Sequence, residues 1–122
     1  MSQGTLKIEE EKNFTIVSFF DTVMLDETNI TTFAEELVSV IKSRQKINLV
    51  IDFANIEFLS SAVLGKLVKI RKIVKKQGGK LKLCGLRTNL MQIFKVTKLH
   101  KVFDIVADRK AATKSSGFGL FG

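Results

Sequence analysis

Residues 47 to 84 leave this chain little freedom of architecture. Ile47 to Phe53 is a short apolar run with β-branched residues, as a central strand covered on both faces requires. A loop and the paired serines Ser60-Ser61 follow. From about Ser61 to Lys76 the apolar residues Val63, Leu64, Leu67, Val68, Ile70 and Val74 recur at helical spacing. Lys66, Lys69, Lys72, Lys75 and Lys76 lie largely outside that stripe, as on a solvated helix face. Gly78-Gly79 supplies the left-handed backbone of a helix stop. Lys80 to Cys84 then alternates as a strand does. Strand, helix and strand in succession demand a crossover and hence an α/β sheet.

The flanking segments extend the same alternation. Leu6–Lys12 and Phe14–Phe20 read as strands, and Asn13 between them marks a tight antiparallel hairpin. Ile30, Phe33, Leu37, Val40 and Ile41 form a helical stripe, with Asp26 or Thr28 available to cap its start. Thr88 or Asn89 is expected to cap a short helix through Leu90, Ile93, Phe94 and Val96. Lys101–Val106 reads as a last edge strand, and Asp108–Lys114 as a terminal helical turn. The expected order is ββαβαβαβ(α), a mixed β-sheet with helices packed on one side. Residues 1–114 are expected to form a single domain, and residues 115–122 a flexible C-terminal tail carrying Phe118, Leu120 and Phe121.

Composition excludes several classes. Apolar residues make up 45% of the 122, and they are spread along the chain, which argues against disorder. No apolar run approaches the ~20 residues of a membrane-spanning helix, and the first residues lack the apolar core of a secretory signal. Cys84 is the only cysteine, so no intramolecular disulfide can form and a reducing cytoplasm is the expected location. Charge is uneven. Residues 1–60 carry five Lys/Arg against ten Asp/Glu, and residues 61–122 carry fifteen against two. Such a gradient makes opposed electrostatic faces, which could steer an acidic partner, a nucleic acid or an anionic membrane.

Enzyme chemistry finds few residues. With His100 as the sole histidine and one cysteine, neither a multi-histidine metal site nor a zinc cluster can be built. His100, among Lys98, Leu99, Lys101 and Val102, reads as an exposed loop residue rather than a catalytic base. Gly78-Gly79 lacks the spacing of a phosphate loop. Glu9, Glu10 and Glu11 alternate across a strand and cannot converge. Asp52 lies near the end of the central strand, where α/β sheets often place functional groups; the favoured reading is that it accepts hydrogen bonds from the loop that follows it. No catalytic residue, metal or cofactor is expected.

The paired serines are first of all a capping signal, since a hydroxyl at a helix start can accept from a free backbone N–H. The same position favours negative charge, so a phosphate could also sit there.

The stretch Leu49–Gly65 resembles the signature segment of STAS domains, the family of bacterial anti-sigma factor antagonists. In that family a strand ending in Asp leads through a hydrophobic-x-Phe/Tyr step to Asp-Ser-Ser/Thr-Gly-Leu-Gly at a helix start. Asp52, Ile56, Phe58, Leu59, Ser61, Leu64 and Gly65 match it. Leu25-Asp26 is similar to the acidic position at the start of the family's first helix. Val96-Thr97-Lys98-Leu99, followed by Phe103, resembles its Leu-Thr-Gly-Leu…Phe element. Ser60 stands where the family has Asp, Ala62-Val63 replaces a Ser/Thr-Gly pair, and Val23 replaces a Gly.

The resemblance implies a non-enzymatic switch. The unmodified domain would bind an anti-sigma factor that is also a serine kinase of the ATP-binding, histidine-kinase-like fold, and so release a sigma factor. Phosphorylation at Ser61, with Ser60 as the alternate acceptor, would weaken that complex, and a serine phosphatase would reset it. Asp26, Ser60, Ser61, Leu64, Arg87, Thr88 and Asn89 are the expected contact residues, all but Leu64 exposed at one end of the sheet. Direct DNA binding is not expected. An accessory subunit of a membrane transporter and a basic nucleic-acid-binding module are the alternative readings.

Overall fold

The computed structural model describes residues 6–20 and 22–114. The opening hairpin forms as expected. β1 (Leu6–Glu11) and β2 (Phe14–Phe19) pair antiparallel, with Leu6 opposite Phe19 and Glu11 opposite Phe14. Lys12 turns the corner in the left-handed region, at φ 59°. β4 (Asn48–Asp52), β6 (Lys80–Cys84) and β7 (Asp104–Val106) then add in parallel, giving the mixed five-stranded order β1-β2-β4-β6-β7.

The crossovers are α1 (Ile30–Lys42), α2 (Ser61–Lys76) and α3 (Thr88–Val96). Alternation in the strands sends Val17, Phe19, Leu49, Ile51 and Leu83 to the face these helices cover. There they join Phe33, Leu37 and Ile41 of α1, Val63, Leu67 and Ile70 of α2, and Leu90 and Phe94 of α3. The stripes read from the sequence are therefore the stripes that pack. Burial of this set supplies the main driving force for folding, at about 1.5–3 kcal/mol per large apolar side chain. The opposite face carries Ile16, Val50 and Cys84, closed by Ala112 of the short α4 (Arg109–Ala112). β4 is thus buried on both faces, as its apolar run requires.

Two short strands lie outside the expected order. β3 (Val23–Leu25) and β5 (Ile56–Leu59) form a separate parallel ribbon, with Leu25 opposite Leu59. Segments of three and four residues carry too little periodicity to be seen in sequence. The last edge strand is also shorter than expected: Leu99–Lys101 is a 3₁₀ turn, and β7 begins only at Asp104. His100 lies half-buried in that turn, its Nδ1 3.4 Å from the Phe94 carbonyl oxygen, rather than on an exposed loop.

Helix ends differ in detail. Asn29, not Asp26 or Thr28, occupies the N-cap of α1. Arg87 precedes α3, so Thr88 and Asn89 are already helical and do not cap it. α2 stops where expected: Gly78 has φ 78°, and the Gly78 and Gly79 N–H groups donate to the Lys75 and Val74 carbonyls. Asp108 caps α4 through Oδ1, which accepts from the Ala111 N–H at 2.9 Å. The tail from Ser115 onward lies outside the described residues.

Candidate functional site

Parallel β4 and β6, with the β3–β5 ribbon beside them, bring the loops that follow these strands to one end of the molecule. The ribbon fixes the key junction. Leu25 and Leu59 are opposite one another, and the Ser60 N–H donates to the Leu25 carbonyl at 3.0 Å. The entrances to α1 and α2 are therefore tied together, with Asp26 following one strand and Ser60 the other.

Asp26 organises the first entrance. Its Oδ1 accepts from the Thr28 hydroxyl and from the Thr28 N–H at 2.9 Å. Its own N–H donates to Asn29 Oδ1, and its carbonyl takes the Asn29 and Ile30 N–H groups. The Thr28 hydroxyl, then the Thr28 N–H, hold the carboxyl below its ordinary value. Asp26 is half-buried rather than exposed.

The two serines are not equivalent. Ser60 is the N-cap of α2, with extended backbone (φ −84°, ψ 165°), and its carbonyl accepts the Val63 N–H at 3.1 Å. Its hydroxyl is buried and has no hydrogen-bond partner among the described residues, so it does not cap. Ser61 is the first helical residue and is exposed, as is Ala62. One turn on, Gly65 is exposed too, and a methyl group placed there would meet nothing within 4 Å. Ser61 and Gly65 share a face by the i, i+4 relation. Leu64, the i+3 neighbour of Ser61, already turns into the core and is buried.

Arg87, Thr88 and Asn89 reach the same end of the sheet and are exposed. Arg87 Nη2 donates to the Ala54 carbonyl at 3.3 Å, and Asn89 Nδ2 to the Glu57 carbonyl at 3.3 Å. They bind the β4–β5 segment and do not bond to the serines. Asp52 accepts the Ala54 N–H at 2.9 Å, the loop-fixing role expected of it. Gly85, at φ 72°, is needed there, because a side chain would come within 2.6 Å of Asp52 Oδ1.

Two aromatic residues at this end, Phe20 at the end of an expected strand and Phe58 in the signature segment, prove exposed, which the sequence does not foretell. Phe20 is 63% exposed and Phe58 46%. Phe58 belongs to β5, whose burial pattern (Ile56 and Leu59 inside, Glu57 and Phe58 outside) does not alternate, so no period-two signal marks it. Among the described residues no cluster of metal-binding side chains occurs, and no helix is long and apolar enough to cross a membrane.

Comparison with known proteins agrees with this arrangement. The STAS domain family model matches residues 5–112. The anti-sigma-B factor antagonist of Bacillus subtilis (strain 168) is 35% identical over 83 residues, which cover 68% of this chain and 74% of that protein. Among solved structures, an anti-sigma-factor antagonist STAS domain protein from Planctomyces limnophilus superposes with a TM-score of 0.81 at 22% identity, covering 91% of this chain and 96% of that one. The Bacillus cell fate determinant SpoIIAA in its phosphorylated form superposes at 0.64 with 12% identity, over 87% and 95% of the two chains. With its mixed sheet, its crossover helices and its relatives among the anti-sigma factor antagonists, the chain belongs to the STAS domain family.

Proposed function

We propose that this chain is an anti-sigma factor antagonist, switched by phosphorylation of Ser61. Its unmodified form binds an anti-sigma factor that is also a serine kinase, through a surface centred on the start of α2. The observation that carries this reading is the contrast between the two serines. The Ser60 hydroxyl is buried, whereas Ser61 is exposed on the first turn, one turn before the bare backbone of Gly65. A kinase can reach the second hydroxyl and not the first.

The chemistry of the switch follows from position. Phosphate adds about −1.5 to −2 charges at pH 7. At Ser61 the unpaired N–H groups of the first helical turn favour that charge, so the fold tolerates it. A partner packed against an uncharged serine and a glycine has to desolvate the phosphate, and the complex weakens. Asp26 lies at the tied entrance of α1 and adds a negative charge to the same end. Phe58 and Phe20 give the contact its apolar component. ATP and its metal belong to the kinase, and a serine phosphatase resets the cycle.

The test is incubation with the cognate kinase and ATP, followed by site mapping by mass spectrometry. Phosphate confined to Ser61 is expected. Phosphate on Ser60, or on neither serine, overturns the assignment.

A further inference from the structure

The end of the molecule opposite the serines is the more unusual one. α2 runs antiparallel to the strands it connects, so its last turn, with Lys75 and Lys76, lies beside the starts of β4 and β6. Two adjoining hollows open there. One, of about 520 Å³, is lined by Lys80, Lys82 and Lys114 with Asn13, Asn48 and Phe14. The other, of about 220 Å³, is lined by Arg71, Lys75, Lys80 and Lys82. The only carboxylate in either is Asp104, and it forms no ion pair with them. Of the fifteen basic side chains in residues 61–114, only Arg109 lies within 4 Å of a described carboxylate.

A second, independent observation concerns the backbone. Among the described residues, three other than glycine have positive φ: Lys12 at 59°, Lys46 at 50° and Lys98 at 63°. All three sit at this same end: in the β1–β2 turn, before β4, and after α3. The left-handed region disfavours a side chain with a Cβ, and glycine or asparagine is its usual occupant. Lys98 stands where the Leu-Thr-Gly-Leu element has glycine. Placing lysine at three such corners works against the local backbone, and none of the three ammonium groups finds a carboxylate within the described chain.

We propose that this lysine pole docks the protein on an anionic lipid surface, with the serine end facing away from the bilayer. The composition of the pole favours lipid over nucleic acid. Its cations are mostly lysine, compact point charges suited to a diffuse anionic layer, whereas the arginine fork suits individual phosphates. Among the described residues no exposed aromatic ring is available there to stack on a base: Phe14 is half-buried, and Lys82 Nζ sits 5.7 Å from its ring centroid. The exposed apolar residues are instead aliphatic. Val96 is 83% exposed and Val102 38%, set among Lys95, Lys98 and Lys101. Cations interleaved with short aliphatic groups match the boundary between headgroups and acyl chains. Asp26, Glu27 and Glu57 lie at the other end, while at the pole Glu10 is paired with Arg44 and the remaining carboxylates, Glu11 and Asp104, are outnumbered by lysines, so the charge gradient still sets the orientation.

Co-sedimentation of the full chain with vesicles tests the proposal, using phosphatidylcholine mixed with phosphatidylglycerol against phosphatidylcholine alone. Binding is expected only to the anionic vesicles, and it should fall steeply with added salt. The decisive variant is Lys12→Gly/Lys46→Gly/Lys98→Gly. Because glycine suits all three corners, the melting temperature should hold or rise, while vesicle partitioning drops about fivefold per lysine, roughly a hundredfold in all. Partitioning that is unchanged in this variant overturns the proposal. So does equal or absent binding to the two vesicle types, or a tighter salt-sensitive complex with transfer RNA than with anionic vesicles.

Discussion

Arg109, the first residue of α4, reaches across the back of the sheet to Asp52 at the end of β4, with Nη2 3.1 Å from Oδ2. The same guanidinium takes Glu9 of β1 at 2.8 Å. One side chain thus joins three elements and holds α4 over Ile16, Val50 and Cys84. Asp52 is only 13% exposed and has the Ala54 N–H as its other partner. Losing Arg109 leaves a nearly buried carboxylate short of its counter-charge. Arg109→Ala should therefore cost roughly 1–3 kcal/mol. Urea denaturation at neutral pH measures this, and a change below a few tenths would show that the clasp is only a surface pair.

Cys84 reports whether α4 stays closed. Burial first, and then the negative charge of Asp52, push its thiol up to about 12. Wild-type protein should resist a thiol reagent at pH 8 until denaturant is added, whereas Arg109→Ala should react without it. The linkage sign follows. The unfolded thiol ionises at about 8.5, and the folded thiol holds its proton to about 12. Between these values the unfolded state binds fewer protons, so stability falls as pH rises. Cys84→Ser, followed by its melting temperature across that range, should show a shallower decline than wild type.

The paired serines give the next contrast. The sequence marks a cap, and a capping serine replaced by alanine loses about 0.5–2 kcal/mol. In the structure Ser60 holds the cap position with a buried hydroxyl that bonds to nothing among the described residues. Ser60→Ala should therefore be neutral or slightly stabilising, because a buried unpaired hydroxyl is removed. Ser61→Asp should hold or raise stability by ~0.3–1 kcal/mol, through the dipole of α2, and should weaken kinase binding. Melting curves beside calorimetric titration separate the two effects. Wild-type affinity in Ser61→Asp would count against regulation at this position.

What the sequence disclosed, and what it did not, follows from the length of each signal. The stripe of α2 and the β-branched run of β4 are long enough to state period and burial together, and both are present where expected. β3 and β5 are too short to do so, yet their pairing is what ties Asp26 to Ser60. The family of the proposed site was legible through Asp52, Ser61 and Gly65 in order. Its geometry was not: which serine is buried depends on the Ser60 N–H meeting the Leu25 carbonyl, a tertiary contact with no local signature. Arg109 likewise meets Glu9 across 100 positions of sequence, and periodicity says nothing about such a pair.

Gly65 offers the sharpest test of the partner surface. Glycine within a helix costs about 0.5–1 kcal/mol relative to alanine. Nothing in the described chain requires it, since an added methyl would stand in open space. Gly65→Ala should therefore stabilise the free domain by about that amount. The missing side chain leaves helix backbone bare one turn from Ser61, where a partner can approach closely. A methyl group there should then hold the partner off and raise the dissociation rate, although the fold has become more stable. Stability and affinity moving in opposite directions is a result that misfolding cannot produce. If kinase binding keeps its wild-type rates in Gly65→Ala while the melting temperature rises, the contact does not run along this face of α2.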